Sequence, residues 1–297
     1  MSVLDIPAQG AAIDETPWVV TEESVYPDMP ESVYHADPVP HGSLSSSGAR
    51  RILPPSCPAV FRWWADNEQE PRTALELGTA AHRRVLGVGA EIHVVDAEDW
   101  SLKRSREERD EARAAGKTPL LRPQNEQTRA MADVIRCHPI ASALFDPDNG
   151  APEQSLFWRD PATGVMCRAR LDWLPQVGPD RLIVPDYKTT ISADPAAIAK
   201  TVAKYGYHQQ DAFYTSGVKH LGLADDVVFV FVFQEKTAPY LVSVVQLDPA
   251  ARRYGADLNR RAVDTFARCT ADDDWPAYLG DVATISLPRW AFLADRL

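Results

Sequence analysis

Apolar and polar positions alternate most clearly between residues 166 and 188. Period two puts Arg168, Arg170 and Asp172 on one face of a strand, and Cys167, Ala169, Leu171 and Trp173 on the other. A Gly/Pro turn signal follows, Pro175 to Pro179 with Gly178 inside it. Residues 182–189 then read as a second strand with Asp186 and Lys188 on one face. If the two strands pair as a hairpin, two carboxylates and an ammonium converge at one end of a sheet. Upstream, residues 43–64 read as a capped helix start at Ser46 or Ser47, a Pro break and a second helical turn. Residues 73–86 repeat apolar positions at helical spacing, with Gly78, His82 and Leu86 on one face. A short strand at 92–96, a charge-dense helix at 101–117 and a helix at 125–138 precede a strand at 151–158. Downstream, Asp194–Pro195 caps a helix that breaks at Tyr205–Gly206 and resumes over 207–221. Two strands, 226–234 and 239–247, and a helix at 249–268 complete the pattern. This order predicts an α/β fold, a mixed central sheet of four or five strands flanked by helices.

Composition narrows the class. With 297 residues, 45% of them apolar and 25% charged, a globular core is expected. Residues 1–40, rich in Pro, Glu, Asp and Ser, read as a mobile or loosely docked arm. Residues 41–297 then form the working domain. The four cysteines, Cys57, Cys137, Cys167 and Cys269, are too far apart for a zinc or iron–sulfur ligand pattern and read as buried free thiols. They fit a reducing setting. The first residues lack the basic start and long apolar run of a signal peptide, and residues 227–233 are too short a run to cross a bilayer. A cytoplasmic protein without a membrane partner is expected. The net charge of −11 argues against a general nucleic-acid binder, although local charge decides binding at a metal site.

The acidic strand pair carries the chemistry. Two carboxylates offer hard oxygen ligands to Mg²⁺ or Mn²⁺, and a neighbouring lysine can hold an attacking water. D-x-K by itself is also the pattern of a solvated Asp–Lys pair. Here an Asp, a turn and then PDYKTT behind an apolar strand give the motif a context. G-x-x-x-H at Gly78–His82 adds an imidazole, Gln210 and Tyr214 share a helix face, and Glu153 at a strand entry is a candidate further acid. Arg50 and Arg51 near a helix start, with Arg168 and Arg170 on the acidic strand's face, are candidate phosphate contacts.

Taken in order, SLSSSGARRIL, LGTAAHRRVL, RARLDWL, PDYKTT, YHQQDAFY and WPAYL…LPRWA resemble the RecE-type exonucleases, the exodeoxyribonuclease VIII-like branch of the PD-(D/E)XK nucleases, related to lambda-type exonucleases and RecB-type nuclease domains. The resemblance implies a Mg²⁺-dependent exonuclease, with Mn²⁺ able to substitute, that degrades one strand of linear double-stranded DNA from its 5′ end. It implies 3′ tails passed to a single-strand-annealing recombinase, a phage or prophage setting in a bacterial host, and a homo-oligomeric ring in many relatives. It assigns Asp172 and Asp186 to the metal, Lys188 to catalysis, His82 to a position beside the metal, and Gln210 and Tyr214 to the lining of the site. Glu153 and the Tyr187 carbonyl would be further ligands. An iron–sulfur cluster is not expected. A nuclease of other polarity, an endonuclease, and a non-catalytic DNA-binding protein on the same fold remain alternatives.

Overall fold

The computed structural model describes residues 18–67, 73–176, 181–288 and 291. The turn expected at 175–179 lies mostly outside them, as do residues 1–17 of the expected arm.

Two sheets carry the site. The first has the order β1 (Ser24–Tyr26), β5 (Gly150–Arg159), β6 (Met166–Pro175), β2 (Leu44–Ser45). The second has the order β7 (Leu182–Thr190), β8 (Val227–Glu235), β9 (Val242–Val245), with β7 and β8 parallel. A separate parallel pair, β3 (Ile92–Val95) and β4 (Thr118–Leu121), stands apart from both. The fold is mixed α/β, as the sequence pattern predicts, but the expected central sheet of four or five strands is divided. The expected hairpin is also absent as a ladder: β6 pairs with β5 and β2, and β7 with β8.

Strand chemistry explains the division. Along a strand, successive N–H groups address opposite edges. Pro185 and Tyr187 therefore address the same edge, the one facing β6. Pro185 has no N–H to give. The Tyr187 N–H donates instead to the side chain, Asp172 Oδ2, at 2.7 Å. A carboxylate thus occupies the place of a ladder carbonyl where the two sheets meet.

Helices cover the sheets; α5 (Lys103–Ala114) lies against β3 and β4, and α7 (Ala141–Leu144) is a single turn ahead of β5. Helix α4 (Thr73–Leu86) packs with α6 (Arg122–Cys137) through Ala81, Leu86, Met131 and Ile135, against Trp173 and Tyr187. Helices α8 (Pro195–Tyr205) and α9 (Tyr207–His220) meet at Gly206, whose φ of +69° is the left-handed value glycine adopts without cost. Helix α10 (Pro249–Asp272) lies against α9 so closely that a Cβ on Gly255 would sit 2.0 Å from the His208 carbonyl oxygen. The main core joins Leu156, Ala169, Leu171, Val184, Phe213, Phe231 and Phe266. The two short helices α2 (Ser46–Arg51) and α3 (Pro58–Asp66) close its other side, and Ser45, rather than Ser46 or Ser47, caps α2 by accepting from the Gly48 N–H at 3.1 Å.

Of the segment read as a mobile or loosely docked arm, the structure describes residues 18–40, and buried side chains dock them on the first sheet. Val20, Met29, Tyr34 and Val39 form a cluster with Phe157 and Met166, β1 joins the sheet edge, and helix α1 (Glu31–His35) lies over β6. Cys57, Cys167 and Cys269 are buried thiols, whereas Cys137 is exposed at the end of α6. Among the described residues no helix is long and apolar enough to cross a membrane.

Candidate active site

Period two places Asp172 on β6 opposite the core residues Leu171 and Trp173, and the β6–β7 contact brings it beside Asp186. Asp186 is 1% exposed. Lys188 Nζ lies 2.5 Å from its Oδ2, and Gln210 Nε2 donates to its Oδ1 at 2.6 Å. Oδ2 makes no hydrogen bond of good geometry, so its partner is the ammonium charge alone. Burial, then the charge of Asp172, pushes the Asp186 carboxyl up to about 7. Burial disfavours the Lys188 ammonium, but Asp186 and Asp172 outweigh it and hold the amine firmly charged.

His82 comes from α4, where Gly78 lets the helix approach β7. A Cβ at Gly78 would meet Thr189 Oγ1 at 3.2 Å. The imidazole bridges two acids, with Nδ1 3.4 Å from Glu153 Oε1 and Nε2 3.2 Å from Asp172 Oδ2. Burial works against its charged form, yet Asp172 and then Glu153 raise it to about 9. The same contacts outweigh burial at Asp172 and lower its pKa, whereas burial raises that of Glu153. Glu153 has a φ of +55°, a left-handed value rare for a non-glycine residue, and it stands opposite Asp172 at a gap in the β5–β6 register. A local backbone distortion thus sets this acid beside the other two.

Gln210 and Tyr214, one turn apart on α9, both face the groove above the acids. Tyr214 packs edge-on against Phe229, and burial raises its pKa well above the phenol value. The expected set of Asp172, Asp186, Lys188, His82, Glu153, Gln210 and Tyr214 is therefore brought together, with Tyr187 between the two sheets. Its phenol donates to Gln234 Oε1 at 2.5 Å in the core.

The four arginines separate. Arg50 is exposed on the groove wall. The Arg51 guanidinium lies 4.4 Å from the Trp64 ring centroid. Arg168 and Arg170 do not stand open to a phosphate, contrary to expectation. Arg168 is buried, paired with Asp37 and donating to the Ser43 carbonyl at 3.2 Å. Arg170 pairs with Glu153 and donates to the Met29 carbonyl at 2.9 Å and Ser155 Oγ at 2.7 Å. Both guanidinium groups bind the docked N-terminal segment.

Sequence reasoning missed that segment's contribution. Tyr34 sits beneath both arginines, 5.5 and 5.8 Å from their guanidinium carbons, and Glu31 and Asp37 line the groove. The available signal was the scatter of apolar and aromatic residues through an acidic stretch, Val20, Tyr26, Met29, Val33, Tyr34 and Val39. Tyr207 was also missed as the ring beside Lys188, 5.3 Å from Nζ.

Among the described residues no three His, Cys, Asp or Glu side chains close around one point as a ligand cage. His82 is wedged between Glu153 and Asp172 and bridges them. The donor chemistry nonetheless fits a hard divalent cation: Asp172 and Asp186 are two adjacent carboxylates, and one oxygen of the fully buried Asp186 lacks a hydrogen bond.

Asp172, Glu153, Gln210 and Tyr214 line a groove of about 1440 Å³ that runs past Ser45, Arg50, Trp64, Tyr205 and Tyr207, and the buried Asp186 reaches it through its bond from Gln210. A family model described as a PDDEXK-like domain of unknown function matches residues 49–288. A crystal structure of a Eubacterium rectale protein named "Putative exonuclease" is similar at a TM-score of 0.55 and 13% identity, over 85% of this chain and 93% of that one; at this identity the likeness is one of fold. A crystal structure of SSO0001 matches at a TM-score of 0.29 and 16% identity, over 67% of this chain and 86% of that one, and bears on nothing here. No curated protein matches the chain.

Proposed function

Since the chain belongs to the family of PDDEXK-like domains of unknown function, we propose that it is a Mg²⁺-dependent nuclease, and specifically a RecE-type exonuclease that degrades linear duplex DNA from the 5′ end. The observation that carries the reading is the meeting of Asp172, Asp186 and Lys188, with Gln210 on Asp186, at a groove that Asp172 and Gln210 line. Asp172 and Asp186 would hold the metal, with the Tyr187 carbonyl, His82 and Glu153 as the remaining candidate donors. Bound Mg²⁺ supplies polarisation of the phosphoryl oxygen and neutralises charge on the departing oxygen.

The chain's own groups do the rest. The Lys188 ammonium orients a water for in-line attack on phosphorus. The P–O3′ bond breaks, leaving a 5′-phosphate and a 3′-hydroxyl. Gln210 fixes the rotation of Asp186 and so the direction of its free oxygen. Protonated His82 keeps Glu153 and Asp172 together until a cation arrives. Arg50 is the candidate contact for a neighbouring phosphate. Mn²⁺ would replace Mg²⁺ at oxygen donors of this kind. On this reading the 3′ tails left behind are the substrate of a single-strand-annealing recombinase, and a ring of copies would hold the duplex.

The test uses linear duplex DNA labelled separately at each 5′ and 3′ end, with Mg²⁺, with EDTA and with Asp186→Ala. Metal-dependent release of the 5′ label as mononucleotide, lost in the variant, is expected. Release from the 3′ end or internal cutting would keep the nuclease and discard the polarity. DNA binding without cutting would discard the enzyme.

A further inference from the structure

Three rings stack from the core to the groove. Phe231 on β8 lies parallel-offset to Tyr207, with centroids 5.6 Å apart and planes 27° apart. Tyr207 in turn stacks on Tyr205 at 5.9 Å and 27°. Phe231 is fully buried, whereas Tyr205 is 46% exposed and lines the same groove as Asp172 and Gln210. The geometry depends on Gly206. Its left-handed backbone turns the chain sharply between α8 and α9, so residues two apart present stacked rings. It also leaves room for Arg50: a Cβ at this position would lie 2.6 Å from Arg50 Cδ. Lys204, on an exposed side chain, places its ammonium 5.3 Å from the Tyr205 centroid. The middle ring, Tyr207, is 5.3 Å from Lys188 Nζ, so the ladder passes beside the reacting centre and ends in solvent.

A ladder of parallel rings that ends half-exposed in a groove, with Arg50 packed at Gly206 and the flexible Lys204 over the Tyr205 ring, matches a nucleotide: an aromatic face for the base and cations for the flanking phosphates. We infer that Tyr205 is a stacking platform for an unpaired nucleobase, holding the strand next to the phosphate cut at Lys188. This rests on the nuclease reading for its substrate class and adds a subsite to it. Every base has a π-face, so such a platform holds a strand without reading its sequence. A base entering the groove displaces the flexible Lys204 chain rather than packed structure. Gly206 belongs to the device, because any side chain there would displace Arg50.

The experiment compares two 3′-labelled octamers of equal length and charge by fluorescence anisotropy, in Ca²⁺ so that binding is read without turnover. One is dT₈; the other carries a tetrahydrofuran in place of every nucleoside. Stacking on one ring is worth about 1–3 kcal/mol, so wild-type protein should prefer dT₈ by about fivefold or more. Tyr205→Ala and Tyr205→Leu should bring the ratio close to one, the latter keeping apolar bulk at the position. Tyr205→Trp should keep or raise it. An unchanged ratio in both truncated variants, or no base preference in the wild type, overturns the platform. Cleavage of linear duplex in Mg²⁺ is measured on the same preparations. Cutting without base preference retires the platform alone. Base-dependent binding without cutting retires the nuclease reading and leaves the platform standing.

Discussion

Lys188 shows how much one residue can be asked to do. Its ammonium is the nearest positive charge to a carboxylate that is 1% exposed and has no other partner on that oxygen. Removing Lys188 leaves Asp186 buried without its counter-charge, to stay stranded or take up a proton, at a cost on the order of 3 kcal/mol. Lys188→Met should therefore lower the urea midpoint of the metal-free protein. Mg²⁺ should restore more stability to it than to wild type, since the cation takes over the neutralisation. Turnover should fall by about 10²–10³-fold and stay low in Mg²⁺, because charge neutralisation is replaced but water positioning is not. Full activity in the variant would remove Lys188 from the mechanism. At this scale the acids and the lysine were legible in the sequence because period two and a D-x-K spacing fix which face each takes. The fate of Arg168 and Arg170 was not. The same periodicity puts them on the acidic face, and only the tertiary docking of Asp37, Ser43 and Met29 decides that they are used internally.

Among elements, α9 matters most, since it carries Gln210 and Tyr214 and is positioned by α10. The contact is made by absence of a side chain: Gly255→Ala would drive a methyl group into the His208 carbonyl, a backbone atom that cannot rotate away. Overpacking of this sort costs about 1–3 kcal/mol. The variant should melt several degrees lower and lose activity as α9 shifts; an unchanged melting curve would mean that the helices lie farther apart. The same interface buries Asp211 completely, with Arg252 Nε at 3.3 Å and Oδ2 unpartnered. Burial pushes this carboxyl up to about 6. Its folded pKa is above the unfolded value, so the fold prefers the proton, and stability declines as pH rises from about 4 through about 6. Asp211→Asn should match wild type near pH 4 and exceed it at pH 7.5 by on the order of 3 kcal/mol. Thermal melts across that range check the sign, and a deficit at pH 7.5 would mean that the Arg252 pair outweighs burial. Element boundaries were largely readable here, because Asp194–Pro195, Gly206 and Asp248–Pro249 are local stop and start signals that act within a few residues. The β6–β7 hairpin was not, because Pro185 and the Asp172 carboxylate remove ladder partners that an alternation pattern takes for granted.

Across the whole molecule, the segment from residue 18 to residue 45 decides whether the groove is complete. Its acidic residues and prolines mask the packing, and the four buried apolar residues that anchor it, Val20, Met29, Tyr34 and Val39, are too widely spaced for either helical or strand period. What holds it is a pair of buried contacts whose two halves lie more than a hundred residues apart in sequence: Asp37 and Ser43 on Arg168, and the Met29 carbonyl on Arg170. Asp37 also accepts from the Ser43 N–H at 2.7 Å and Ser43 Oγ at 2.8 Å, so one carboxylate ties the segment to itself and to β6. Asp37→Ala leaves the Arg168 guanidinium buried without its counter-charge, a loss on the order of 3–5 kcal/mol. Amide hydrogen exchange should then rise over residues 20–45 while that of β7 and β8 stays slow, and cleavage should weaken as Glu31 and Tyr34 leave the groove. The paired change Asp37→Leu with Arg168→Met separates charge from docking. An apolar pair of similar volume should restore protection to the segment, because what the single variant suffers from is a stranded charge. If protection returns and cleavage does not, the arginine itself takes part in DNA binding; if both return, the segment's role is to complete the wall of the groove.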